Sequence, residues 1–300
     1  MKAAVEIDTD TLMRECRLCP RECRVNRFQT AGLCGGGAVA KVNLHRLHHW
    51  EEPVLSGTRG SGTIFFSYCT MRCVYCQNFR ISQEGSGMER TEEELASMML
   101  ELQEAGAHNV NLVTASHYAP RAATALRLAR ERGLRVPVVW NSSAYEKPET
   151  LRLLEGLVDI YLPDFRYFDP ALAVRYSAAP DYPAHAQRAI AEMFRQAGHL
   201  SVKEGLAVKG LMIRLLVLPG QAGEIRKILS WIRGALGAET WVSLMGQYYP
   251  AHRAGEFPEI HRSVTEEEYE LCLKYLDELG FENGFAQEVG SCADYTPEFS

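Results

Sequence analysis

Cys69, Cys73 and Cys76, spaced C-x3-C-x2-C, are the residues of this 300-residue chain with the clearest chemical capacity. They follow a glycine-rich turn (Gly57, Gly60, Gly62) and an apolar run, Ile64-Phe65-Phe66. Three thiolates within eight residues can converge on one face of a loop and hold three irons of a four-iron cubane. A closed cluster uses four cysteines, so three leave one iron open to another ligand. An open metal position marks catalytic rather than structural sites. The competing reading of the same residues is a structural zinc site short of one ligand.

A second set lies near the N-terminus: Cys16, Cys19, Cys23 and Cys34, spaced C-x2-C-x3-C-x10-C. Four cysteines within nineteen residues can close a tetrahedral thiolate site, and the Cys19-Pro20 pair is also a feature of iron–sulfur loops. Arg14, Arg17, Arg21, Arg24 and Arg27 surround them, and guanidinium groups favour thiolates. Zinc and a second iron–sulfur cluster both fit this set, and free core cysteines are the other possibility. Cys272 falls in an amphipathic helical pattern and reads as core, while Cys292 is a thiol without an assigned role. His45, His48 and His49, followed by Glu51-Glu52-Pro53, read as a strand entering a turn and not as a metal site. The glycines after them precede a strand instead of opening a helix, so they are a turn and not a phosphate loop.

These thiols need a scaffold, and the chain is long enough to provide one. It is 46% hydrophobic, enough for one barrel-sized domain with a small appendage. Apolar runs near 63–67, 110–114, 136–140, 158–162, 211–218 and 241–245 read as strands. Helical patterns near 92–105, 120–132, 184–197, 223–236 and 265–279 fall between and after them, with a short helix after Pro148. Thr91 with Glu94, and Thr265 with Glu268, have the spacing of capping boxes. Alternating strands and helices predict an α/β fold with a parallel sheet. Six units are fewer than the eight of a full barrel, so the expectation is a partial (β/α)6 TIM-like barrel over 61–300. Residues 1–60 form a Cys-rich, metal-binding extension in this reading. The net charge of −6 and the lack of a basic block exclude an electrostatic footprint for nucleic acid. No apolar run reaches the length of a membrane span, and the charged stretch 1–15 has no apolar core of a secretion signal. Clustered cysteines, odd in total number, argue against a secreted disulfide framework and for the cytoplasm.

Barrel enzymes carry their chemistry at the C-terminal ends of the strands. Here those ends bear the Cys69–Cys73–Cys76 loop, Thr114 and Ser116-His117-Tyr118, Asn141 and Ser143, Asp164 and Arg166, and Gln247-Tyr248-Tyr249, with Arg214 on the fifth strand. Six decorated ends on one rim favour a site. Tyr118, Tyr145, Tyr161, Tyr248 and Tyr249 either line a substrate groove or pack in the core.

With Tyr75 directly before its last cysteine, the Cys69–Cys76 run resembles the radical S-adenosylmethionine (SAM) superfamily. Within it, Cys69-Thr70-Met71-Arg72-Cys73-Val74-Tyr75-Cys76-Gln77-Asn78, Ile213-Arg214-Leu215-Leu216-Val217-Leu218-Pro219-Gly220 and Asp164-Phe165-Arg166 resemble the glycyl-radical activating enzymes, such as the pyruvate formate-lyase activating enzyme. The resemblance covers 62 to about 250. The first 60 residues resemble only uncharacterised relatives that share the Cys-rich opening. It implies a 4Fe–4S cluster on Cys69, Cys73 and Cys76 whose free iron is chelated by SAM. It places Tyr75 along the adenine, and Asn141 and Ser143 at the ribose or methionine part. Arg166 and Arg214 face the SAM carboxylate, and Asp164 stands near a monovalent cation. Thr114 and Ser116 stand where the family has a Gly-Gly-Glu motif for the SAM amino group. The family's Asp-x-Lys is Asp-x-Arg here, and Gln247 replaces a histidine. A one-electron donor such as flavodoxin or ferredoxin, and a protein substrate, are implied as partners.

Three functions compete on this reading. They are an activase that installs a glycyl radical on a protein, a radical SAM enzyme acting on a peptide or small molecule, and a non-catalytic iron–sulfur or zinc protein.

Overall fold

The computed structural model describes residues 9–287; Cys292 lies outside them. Among the described residues the strands are β1 (Ala40–His48), β2 (Ser61–Phe66), β3 (Met88–Arg90), β4 (Val110–Val113), β5 (Val138–Ser142), β6 (Ile160–Pro163), β7 (Ser201–Lys203), β8 (Leu206–Leu216), β9 (Trp241–Met245) and β10 (Gly284–Ala286). They form one sheet in the order β10-β9-β8-β6-β5-β4-β2-β1-β3, with β7 hairpinned onto β8 off that path. Strands β2, β4, β5, β6, β8 and β9 pair in parallel. These are the six strands the apolar runs foretold, and the fold is the expected α/β partial barrel. β10 adds a parallel edge, while β1 and β3 flank the other side antiparallel. The two ends of the path do not pair, so the cylinder stays open.

Helices cover the outside for reasons written in their sequences. Glu92–Glu104 and Glu266–Glu278 each begin in a complete capping box, in which Thr91 and Thr265 accept from the third helical N–H and Glu94 and Glu268 accept from the cap N–H. Two orphan donors are satisfied at each start. Strand residues alternate between two faces. Ile64, Leu112, Trp140, Tyr161, Ile213 and Leu244 join the large core with the helices. The opposite parity (Val139, Ile160, Leu162, Met212) forms a smaller core inside the barrel.

That inner core is completed from an unforeseen direction. After β1, residues 49–60 turn into the barrel, where Val54 and Leu55 of the short helix Pro53–Ser56 pack on the inward side chains. Asn109 of the β4 approach donates to the Leu55 carbonyl (2.8 Å) and accepts from Ser61 (2.6 Å), which ties this plug to the sheet. Residues 40–60, read from sequence as part of the extension, therefore supply a strand to the main sheet and a stopper to its interior. Between β6 and β8 the pairing lapses after Tyr161↔Leu211 and resumes only as an isolated Asp164↔Arg214 bridge. Pro163 lacks an N–H for the ladder, and the gap lies beside the site described next.

Candidate functional site

β2 runs straight into the cysteine loop. Tyr68 and Arg72 sit in left-handed backbone (φ 71° and 51°), a conformation that costs energy for non-glycine residues and gathers at functional sites. Two glycines make room for it: a Cβ on Gly35 or Gly85 would meet the Tyr68 ring at 2.5 or 2.1 Å. The loop is then pinned from outside by Val74 N–H to the Tyr176 carbonyl (2.9 Å), Gln83 to the Cys73 carbonyl (2.8 Å), and Arg253 N–H to the Val74 carbonyl (2.8 Å).

Each sulfur has a polar neighbour. The Met71 N–H donates to Cys69 Sγ (3.4 Å), the Ser177 hydroxyl donates to Cys73 Sγ (3.1 Å), and Ser82 Oγ is 3.2 Å from Cys76 Sγ. Ser177 also meets the Tyr167 hydroxyl (2.9 Å), which meets that of Tyr75 (2.6 Å). Burial raises the Cys69 thiol and pushes that of Cys76 up to about 12.

The three cysteines line one end of a cavity of about 220 Å³. Its other walls include Thr114, Asn141, Ser143, Asp164, Arg166, Arg214 and Gln247, with Tyr75 beside the cysteines. Of the rim residues named from sequence, Ser116, His117, Tyr118, Tyr248 and Tyr249 do not line it; Ser116 is buried in a turn, with its hydroxyl facing Glu146. Thr114 reaches the wall through a left-handed backbone (φ 62°). Tyr118, Tyr145, Tyr161 and Tyr248 are almost fully buried, so their role is core packing. Cys272 is buried as expected.

A charged lattice forms the deep wall. Arg214 donates from Nε to Asp164 (2.8 Å), from Nη1 to Glu51 (3.2 Å) and from Nη2 to Asn141 (2.7 Å). Asn111 donates to the other Glu51 oxygen (2.9 Å), and Arg166 donates to Asp164 (2.5 Å) while its Nε has no partner. Burial disfavours the charge on both arginines, yet Asp164 holds each above its ordinary value, joined by Glu51 and Glu52 at Arg214. Burial raises Glu51 and Glu52, with Arg214 pulling the other way.

Glu51 corrects the sequence reading. With the histidines before it, it reads from sequence as part of a strand entering a turn, but the plug carries its carboxylate into the cavity. The local signal is an acidic pair, Glu51-Glu52, one proline before an apolar pair, Val54-Leu55. Ser177 and Tyr167 gave no signal, since their link to Cys73 depends on chain folding across about a hundred residues.

The N-terminal cysteines form a separate body. Cys16, Cys19 and Cys34 are buried; Cys16 belongs to a small apolar cluster with Met13, Leu18 and Ala38, against which Cys23 packs. Cys34 Sγ accepts from the Gly36 N–H (3.4 Å), and backbone N–H groups of Leu18 and Arg21 face Cys16 and Cys19. The sulfurs of Cys23 and Cys34 both stand 3.4 Å from where a Gly32 Cβ would lie. Burial pushes the Cys19 thiol up to about 12. Among the described residues, no three His, Cys, Asp or Glu side chains are gathered tightly enough for a single metal ion. None of the helices there is long and apolar enough to cross a membrane.

A family model described as the radical SAM superfamily matches residues 63–232. The chain belongs to the radical SAM superfamily. This membership implies a 4Fe–4S cluster and SAM as cofactors and, with them, the radical SAM-cleaving chemistry of the superfamily. The uncharacterized protein MJ0674 of Methanocaldococcus jannaschii is 30% identical over 279 residues, which are 90% of this chain and 77% of that protein. Among solved structures, Streptococcus suis SuiB bound to precursor peptide SuiA matches 73% of this chain with a TM-score of 0.51 at 11% identity. SuiB bound to S-adenosylmethionine matches 77% with a TM-score of 0.51 at 13% identity. This chain spans about half of SuiB, 46% and 51% of its length in the two structures, and the likeness is one of radical SAM fold. The plug and the N-terminal cysteines lie outside the segment matched by the radical SAM model.

Proposed function

We propose that the chain binds SAM at a 4Fe–4S cluster carried by Cys69, Cys73 and Cys76 and acts on a protein in the manner of a glycyl-radical activating enzyme. The observation that supports this most is one cavity lined jointly by the three cysteines, Asn141, Ser143, Asp164, Arg166 and Arg214. Held there by Cys69, Cys73 and Cys76, a reduced cluster would supply the electron for reductive cleavage of SAM and so the radical chemistry applied to the substrate. The protein's task is to hold sulfur, orient SAM and exclude water. Ser177 and the Met71 N–H stabilise thiolates at Cys73 and Cys69 by donating to them. Cys76, as a buried thiol, gives up its proton when it ligates metal. Arg166, with an unspent Nε–H, suits the SAM carboxylate. Arg214 has three of its donors committed to protein acceptors and serves better as the brace for Asp164 and Asn141. Asn141 and Ser143 offer hydrogen bonds to ribose hydroxyls. Thr114 has a hydroxyl for the amino group, and the buried Tyr75 ring presents a face to the adenine. The electron donor in this reading is a flavodoxin or ferredoxin, and the setting is cytoplasmic, where thiols stay reduced.

The four N-terminal cysteines hold a second metal group in the same proposal. Sulfurs around one zinc, at bonds of about 2.3 Å in a tetrahedron, stand roughly 3.8 Å apart. Zinc and a second iron–sulfur cluster both suit a set of four thiolates.

The test is anaerobic: reconstitute with iron and sulfide, reduce with dithionite, add SAM, and quantify 5′-deoxyadenosine. Wild type is expected to form it and Cys73→Ala is not. Faster formation when a glycyl-radical polypeptide is supplied, together with a glycyl-radical EPR signal on that polypeptide, would support the activase reading. The same stimulation by a small molecule alone would contradict it.

A further inference from the structure

The plug brings a carboxyl group into a cavity walled by other charged side chains. Its deep wall and the layer behind it hold Glu51, Glu52 and Asp164 against Arg166 and Arg214. His48, also on the wall, adds no charge near neutral pH, because burial lowers it to about 4. Arg72 lies at the solvent-exposed mouth. Three carboxyl groups thus face two guanidinium groups at the deep end. Glu52, 4% exposed, keeps an Oε2 without a hydrogen-bond partner. A buried carboxylate in deficit of positive charge is costly, and burial raises both glutamates accordingly. A cationic group entering the cavity relieves that cost, and with little water between them the attraction acts over several ångströms.

We infer that Glu51 is a specificity-determining residue that makes the cavity prefer the sulfonium form, SAM, over its uncharged thioether relative, S-adenosylhomocysteine. The inference rests on the proposal that this cavity is the SAM site. Its geometry is built for a fixed charge: Asn111 and Arg214 hold the two Glu51 oxygens in place. Val54 and Leu55 anchor the plug that carries it. Two ligands that differ by one methyl group and one charge then differ most in what Glu51 contributes.

The experiment measures equilibrium binding of SAM, S-adenosylhomocysteine and sinefungin, whose ammonium stands in for the sulfonium, to the anaerobically reconstituted full chain. Wild type is expected to bind the two cationic ligands about tenfold more tightly than the thioether. Glu51→Gln, which keeps size and hydrogen-bond capacity, is expected to reduce that ratio to near unity, with most of the loss in the cationic ligands. Glu51→Asp, which keeps the charge but withdraws it, should fall between. Wild type that binds all three equally would overturn the inference without any variant. So would Glu51→Gln that weakens all three alike, a purely structural role, or that leaves the ratio intact. Wild type that binds none of them would instead overturn the assignment of the cavity to SAM.

Discussion

The molecule carries two sets of cysteines built from similar sequence material and set in opposite surroundings. Cys69, Cys73 and Cys76 line a cavity and share it with a lattice of charged side chains. Cys16, Cys19, Cys23 and Cys34 lie in a loop-rich body with its own small apolar cluster, and none of them lines that cavity. Spacing marks both as candidate donor sets; access to the cavity separates them. A set of three at the mouth of a barrel leaves room for a ligand on the metal, whereas a set of four can close around it. The two are mechanically joined. Arg21, two residues after Cys19, donates to the Thr70 carbonyl (3.1 Å) in the cavity loop, to Ser177 (2.8 Å) and to Ala178. Gly35, next to Cys34, packs against Tyr68.

The sharpest way to break this contrast is Cys73→Ala. Deoxyadenosine formation should fall by more than about 100-fold, the upper end of what even outer-shell changes cost a metal site, while iron on the N-terminal set remains. Cys19→Ala should do the reverse: the second metal is lost and stability drops by several kcal/mol, read as a lower Tm, with cavity-bound iron still present. If Cys19→Ala removes all iron, the two sets are one functional unit.

Acid should weaken the fold through His117, which is 1% exposed, gives Nε2 to the Ser67 carbonyl (2.9 Å) and lies beside Arg27. Burial lowers it to about 3. The unfolded chain takes up this proton near pH 6.5 and the folded chain only near 3. The contribution is therefore complete above pH 6.5 and is lost as pH falls towards 3, at about 1.4 kcal/mol per pH unit. Urea unfolding from pH 7 to 4 should show this slope, and His117→Gln should flatten it.

The smallest effect tests the joint itself. Arg21→Ala removes charge-assisted bonds to three carbonyls and should cost about 1.5–3 kcal/mol. It should also speed iron loss from the cavity set under chelator while the N-terminal metal is retained. Equal loss from both sets would mean that Arg21 does not join two separate bodies.

Much of this was legible in the sequence because the signals were local. Six apolar runs became six parallel strands, and both capping boxes formed, since Thr91/Glu94 and Thr265/Glu268 need only three residues of spacing. The gathering of Cys69, Cys73 and Cys76 at one cavity was legible for the same reason. What stayed hidden depends on long-range closure. Glu51 meets Arg214 only because the plug enters the barrel, and Ser177 reaches Cys73 only because the helix Pro170–Ser177 docks over the loop. Ser116 was placed at the rim by strand order alone, whereas the turn after β4 directs it to Glu146 instead.

The most direct test of the open-versus-closed contrast is the EPR spectrum of the dithionite-reduced protein with and without SAM, in wild type and in Cys73→Ala. SAM should change the wild-type cluster signal and leave any signal that survives in Cys73→Ala untouched. A SAM-sensitive signal in Cys73→Ala, or a wild-type cluster indifferent to SAM, would contradict the assignment of the open site to Cys69, Cys73 and Cys76.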